Sequence, residues 1–285
     1  MTSRVSRDLR TRRFWSSYVL HTFAAGGLIA TALQVYDVFW PGAITNHREW
    51  IVLGSVLTAV CFGTWKAWPR PIRQVYPVAN TEIRIVEGDL FKQDENLVIG
   101  MCTTFDTDVP HIISERSVQG QLLSTVYHGD VAALEADLVT ALAGASLVGT
   151  IDKPGKTNRY RLGTVASIRH QRRFYFCLAY TEMNERNEAR ATIDGLWQSM
   201  DNLWREIRAL SNGDSVAMPV VGGGQARVSH LLPAQDAIRL TALSFMLASR
   251  TERVCERLDI VARRQDVGKL DMLEIRSFLA SLRPS

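Results

Sequence analysis

No CxxC pair occurs among the four cysteines, Cys61, Cys102, Cys177 and Cys255, and none has a histidine at zinc-finger spacing. A structural zinc site is thereby disfavoured, and four thiols do not scaffold a chain of 285 residues. Free buried thiols in a reducing compartment are the simplest reading. The bulk of the chain also lacks excess positive charge. Residues 1–76 hold nine Lys/Arg against three Asp/Glu, net +6, whereas residues 77–285 hold 24 against 26, net −2. The long C-terminal part has no surplus for phosphate backbones, so nucleic acid is not an expected partner. Internal repeats and low-complexity segments are absent, and the 46% hydrophobic and 22% charged residues are globular values.

Charge is missing altogether from Phe14 to Tyr36, a run of about 34 Å as a helix, enough to cross a bilayer core of roughly 30 Å. Trp15, Tyr18, Tyr36 and Trp40 cluster towards its ends, as aromatic rings do at headgroup level. A signal peptide would have a shorter apolar region. A second apolar run, Trp50 to Trp65, follows a polar loop; it is slightly short, and Lys66 could snorkel. The expectation is a two-helix transmembrane hairpin over 14–68, with a single span and a re-entrant second segment as the rival. Arg4, Arg7, Arg10, Arg12 and Arg13 precede the first run and Lys66, Arg70 and Arg73 follow the second. The positive-inside rule then places the basic N-terminus (1–13) and the C-terminus in the cytoplasm. Ala24/Gly27 or Gly26/Ala30 could form a small-residue seam, and His21 either faces a partner helix or bonds locally.

Three prolines near residues 69–79 read as a semi-extended linker. Over 80–285, strand-like stretches (Glu82–Val86, Leu97–Met101, Ser146–Ile151, Tyr160–Ile168, Arg172–Tyr180, Ser215–Val221, Leu258–Ala262) alternate with helical patterns, so a mixed-sheet α/β layered domain is expected. The helices fall at Ser117–Tyr127, Val131–Ala143, Ala191–Leu210, Pro233–Ser249 and Val267–Leu282. KPGKTN, from Lys153, reads as a hairpin turn, and Trp197 and Trp204 as core rather than a stacking platform.

Two segments at strand ends stand out. One is Glu87-Gly88-Asp89-Leu90, followed after the next strand by Thr103-Thr104-Phe105-Asp106-Thr107; the other is Pro219-Val220-Val221-Gly222-Gly223-Gly224-Gln225-Ala226-Arg227. Ligands of open α/β sheets bind at such ends, and consecutive glycines expose amides that cradle phosphate. This glycine loop carries neither a P-loop GK[ST] nor a GxGxxG fingerprint. Arg227 could pair with a diphosphate or form a surface ion pair. No catalytic constellation emerges; His111, His128, His170 and His230 are scattered, and the Arg169–Arg173 cluster reads as a hairpin end near anionic lipid.

Together the two segments resemble a macro domain, the α/β module that binds ADP-ribose. The resemblance implies that Asp89 accepts a hydrogen bond from adenine and that Gly222, Gly223 and Gly224 wrap the diphosphate, with Gly88, Leu90, Val221, Gln225 and Ala226 beside them. Beside that resemblance, Thr103–Thr107 either contact the ligand or form a capped loop, with Asp106 towards ribose hydroxyls or an attached amine; Ser117 and Gly120 lie where a helix-start loop could reach the ligand, and Tyr180 either stacks near the distal ribose or packs as an ordinary core residue. Hydrolytic macro domains have an Asn-rich segment where this chain has Thr103–Thr107, which weakens an inference of turnover. Two membrane runs before a divergent macro domain further resemble the membrane effector of Thoeris-type antiviral systems. That implies a bacterial inner-membrane receptor with no cofactor and no metal, which binds an ADP-ribose-derived messenger made from NAD by a TIR-domain partner. Self-association and bilayer disruption would follow. The alternative is a membrane-anchored ADP-ribose or ADP-ribosyl hydrolase.

Overall fold

A computed structural model describes residues 12–41, 48–67, 72–222, 232–268 and 270–283. The chain divides into two compact units, Met1–Arg70 and Pro71–Ser285. The first unit is a pair of helices, α1 (Arg12–Phe39) and α2 (Arg48–Ala67). Their seam is built from small side chains. A Cβ added at Gly26 would meet Ala59 Cβ at 3.9 Å, and one at Gly63 would lie 1.9 Å from Thr22 Oγ1 and 3.2 Å from the Thr22 backbone nitrogen. Gly27 meets nothing within 4 Å. Adjacent glycines therefore serve different faces, because one residue rotates a helix by about 100°. The outer faces carry Leu20, Phe23, Leu28, Trp50 and Leu57, all exposed. Among the described residues one stretch, Tyr18–Phe39, is long and apolar enough by itself to cross a membrane; α2, with charges at both ends, does not join it on that measure.

The close approach at Gly63 makes a prediction. Gly63→Leu should separate the helices, whereas Gly27→Leu should leave them paired. The 3.9 Å separation at Gly26 and Ala59 suits a disulfide. Gly26→Cys with Ala59→Cys, in a Cys61→Ser background, should therefore crosslink with Gly27→Leu and fail to do so with Gly63→Leu. Equal crosslinking would contradict the seam.

The second unit opens with β1 (Ile72–Tyr76), where a linker was expected. Ile72, Gln74 and Tyr76 point inward while Arg73 and Val75 face out, the period-two pattern of a half-buried strand. Pro69, Pro71 and Pro77 flank this run rather than interrupt it, so all its amide donors remain. β2 (Thr81–Glu87), β3 (Asn96–Cys102), the outlying pair β4 (Leu147–Thr150) and β5 (Asn158–Tyr160), then β6 (Val165–His170), β7 (Arg173–Met183), β8 (Ala189–Arg190), β9 (Val216–Pro219) and β10 (Arg257–Ala262) complete the strands. The main sheet runs β1-β2-β10-β9-β3-β7-β6, with β8 paired to β7. β2, β10, β9, β3 and β7 are mutually parallel, and β1 and β6 are antiparallel edges.

The single strand expected over Tyr160–Ile168 is two. A turn containing Gly163 at φ +84° breaks it, and a Cβ there would meet Asn202 Nδ2 at 2.5 Å. The helices are α3 (Val118–Thr125), α4 (Val131–Ala141), α5 (Ile193–Leu210), α6 (Ala234–Thr251), the single turn α7 (Arg264–Val267) and α8 (Met272–Ser281). The last two replace one expected helix over Val267–Leu282. α3 and α4 cover one face of the sheet, over Leu97, Ile99, Tyr175 and Cys177. α5, α6 and α8 cover the other, over Ile83, Val98, Phe176 and Ile260. On α5, Leu196, Met200, Leu203, Trp204 and Ile207 are buried, whereas Trp197 is 38% exposed, a correction to its expected core role. It shares Trp204's side of the helix two turns nearer the N-terminus, so its place along α5 and not its rotation leaves it exposed.

Candidate functional site

Five parallel strands bring their carboxyl ends to one edge, which carries both motifs. β2 ends in Glu87; the Gly88 N–H then donates to Ala262 O at 3.1 Å, and Val220 N–H donates to Val261 O at 3.2 Å. The β2 turn and the start of the glycine loop thus both attach to the end of β10. Asp89 is exposed there; its Oδ1 accepts from Phe91 N–H at 3.0 Å and caps a short turn, Leu90–Lys92. Leu90 itself is buried in the core.

Gly222 sits buried with φ +80°, a left-handed conformation that suits glycine. Tyr180 lies beneath this loop start in contact with the Gly222 backbone amide, and burial pushes its phenol up. The ring occupies the space over Gly100, where a Cβ would meet it at 2.4 Å. Gly223, Gly224, Gln225, Ala226 and Arg227 lie outside the described residues, as does His230. α6, starting at Ala234, presents its first turn after this loop, and the unpaired amides of a helix start favour anions.

Thr103 to Thr107 follow β3 and are packed inward, each no more than 5% exposed. Phe105 takes φ +49°, costly for an aromatic residue, and Tyr160 meets it edge to face at 5.5 Å. Asp106 holds a protein cation: Lys153 Nζ lies 2.9 Å from both carboxylate oxygens. Lys156 N–H donates to Asp106 Oδ1 at 2.9 Å, the Thr104 hydroxyl donates to Oδ2, and Gln119 Nε2 donates to the Asp106 carbonyl. Burial raises the neighbouring Cys102 thiol. Sequence reasoning passed over Lys153 and Lys156 as turn residues. The two lysines of KPGKTN were the only local sign, and the turn lies 47 residues from Asp106.

Ser117 caps α3, accepting from Gly120 N–H at 2.9 Å. A Cβ at Gly120 would lie 2.4 Å from Ser114 O, so this glycine allows the loop backbone to approach. Both have structural partners in this structure. The edge opposite the candidate site carries the Arg169–Arg173 hairpin end and an ionic group in which Arg257 meets Asp259 and Glu95. Burial pushes the Asp259 carboxyl up to about 6. His170 sits between two tyrosine rings, tilted to Tyr127 and edge-on to Tyr175, rather than joining a site. Among the described residues no cluster of His, Cys, Asp and Glu could hold a metal ion.

Among solved structures, an Oceanobacillus iheyensis macrodomain with MES bound is 14% identical, with 74% of this chain and 99% of that chain covered and a TM-score of 0.49. The same organism's macrodomain with ADP is 13% identical, with 75% and 96% covered and a TM-score of 0.47. No curated protein matches the chain. Residues 83–263 match the family described as Thoeris protein ThsA, Macro domain. That span begins in β2 and ends one residue after β10, so it takes in every parallel strand whose end forms the edge described above. The chain belongs to the Thoeris ThsA macro-domain family.

Proposed function

We propose that the Pro71–Ser285 unit is a receptor for an ADP-ribose-type nucleotide. The observation that carries this reading is the convergence of Gly88–Asp89 and Gly222 on the ends of β2 and β9, the two parallel strands that flank β10, in a chain of the ThsA macro-domain family. Asp89 offers an exposed carboxylate for the adenine amine, and the left-handed turn at Gly222 leads into the glycine segment whose amides would meet the diphosphate. The messenger is an ADP-ribose derivative made from NAD by a TIR-domain partner, and the role is antiviral defence. Binding without turnover fits the absence of asparagine in Thr103–Thr107.

The helix pair is the output. Phe23 and Leu28 are each 76% exposed and Trp50 is 75% exposed, a surface that suits lipid and does not suit water. In this reading α1 spans the bacterial inner membrane and α2 returns, with both termini cytoplasmic. Messenger binding favours self-association through outward faces such as that of Gly27, and the bilayer is then disrupted.

Calorimetry of the protein with ADP-ribose tests the receptor reading. Asp89→Ala should remove a charge-assisted hydrogen bond of about 1.5–3 kcal/mol, roughly a tenfold to hundredfold loss of affinity. Unchanged affinity in a variant that melts normally would refute the adenine assignment. Consumption of ADP-ribose during the titration would favour an anchored hydrolase instead.

A further inference from the structure

We propose that the β4–β5 hairpin is a gate over the nucleotide edge, latched by Lys153 on Asp106; this rests on the reading that the edge binds a nucleotide. The hairpin stands outside the main sheet, and all four residues of β4 are exposed, including Leu147 and Val148. Polar contacts hold it to the end of β3. The Lys153 and Asp106 side chains are 0% and 1% exposed. Lys156 Nζ lies 2.7 Å from Glu135 Oε2 on α4, the Tyr160 N–H donates to Thr103 O at 2.9 Å, and Asn187 Nδ2 donates to Pro154 O at 3.2 Å. Gly155, at φ +87°, lets the tip close down; a Cβ there would lie 2.7 Å from Asp106 Oδ1.

Such a segment is suited to opening. It buries little apolar surface, and elements of that kind open at a fraction of the global unfolding cost. The ion pair fixes one closed position without making it deep, since desolvation of two buried charges offsets much of their attraction. When the hairpin lifts, both charges return to water, so breaking the pair costs least along this motion. The closed hairpin keeps Thr103–Thr107 from solvent, and Thr103 Oγ1 is buried with no hydrogen-bond partner among the described residues. A ligand that uses this segment must wait for the hairpin to lift. Its apparent affinity is then reduced by the open fraction.

The test is hydrogen–deuterium exchange on the full-length protein in detergent micelles, paired with ADP-ribose titration. In the wild type, amides of 147–160 should exchange together and faster than those of β7. Lys153→Ala should speed hairpin exchange about tenfold, leave β7 unchanged and raise ADP-ribose affinity by a similar factor, because one opening equilibrium enters both readouts. Lys153→Arg, which keeps the charge, should stay near wild type. Hairpin amides as slow as β7 in the wild type, unaltered exchange in Lys153→Ala, equal acceleration of hairpin and β7, or a Lys153→Ala protein that does not fold would each overturn the latch. A hairpin that opens without altering affinity overturns the gate alone. Absence of ADP-ribose binding by wild type and variant alike overturns the nucleotide reading, and the gate with it.

Discussion

A fragment beginning at residue 77 is expected to aggregate or to melt far below one beginning at Pro71. The shorter fragment lacks β1, which is paired with β2 at five positions from Ile72↔Ile85 to Tyr76↔Thr81. Ile72 and Tyr76 are each 1% exposed and belong to the core cluster under α8. Burying side chains of this size contributes about 1.5–3 kcal/mol apiece. The Tyr76 hydroxyl also donates to Leu279 O at 2.7 Å, worth about 1 kcal/mol net. Truncation also uncovers the edge of β2, where Ile83 and Ile85 lose their cover and the backbone becomes free to pair with another chain. The combined loss, on the order of 4–7 kcal/mol, rivals the whole stability of a typical domain. Circular dichroism melting and size-exclusion chromatography of the two fragments compare them directly; matching melting temperatures would show that β1 is dispensable.

Trp204→Ala should lower stability by about 3–5 kcal/mol, while Trp197→Ala on the same helix should cost about 1 kcal/mol or less. Trp204 is 1% exposed, meets Phe245 edge to face at 5.3 Å, and its Nε1 donates to Ser244 Oγ at 3.1 Å. Its removal leaves a cavity between α5 and α6. It also strips a donor from Ser244, which keeps its own bond to Thr241 O. Trp197 is 38% exposed, so its loss opens a surface notch that water fills. Chemical denaturation of the 71–285 fragment measures both, and similar costs for the two tryptophans would show that α5 does not bury Trp204 more deeply than Trp197.

The periodicity of the chain was enough for the alternation of strands and helices, the amphipathic α5, and the two strand-end motifs, because each depends on neighbours within one or two turns. The apolar, charge-free run before Asp37 was legible for the same reason. Other features needed the third dimension. IRQVY alternates perfectly, yet three prolines around it outweighed five residues of pattern, and only the edge of β2 shows what the run pairs with. Gly26 and Gly27 are indistinguishable as letters; the position of Ala59 on α2 separates them. The partner of Asp106 lies 47 residues away on a hairpin tip, and no local spacing encodes a contact made by chain reversal. Local propensity is read over a few residues, whereas ion pairs, edge pairing and close helix approach are set by which distant surfaces the fold brings together.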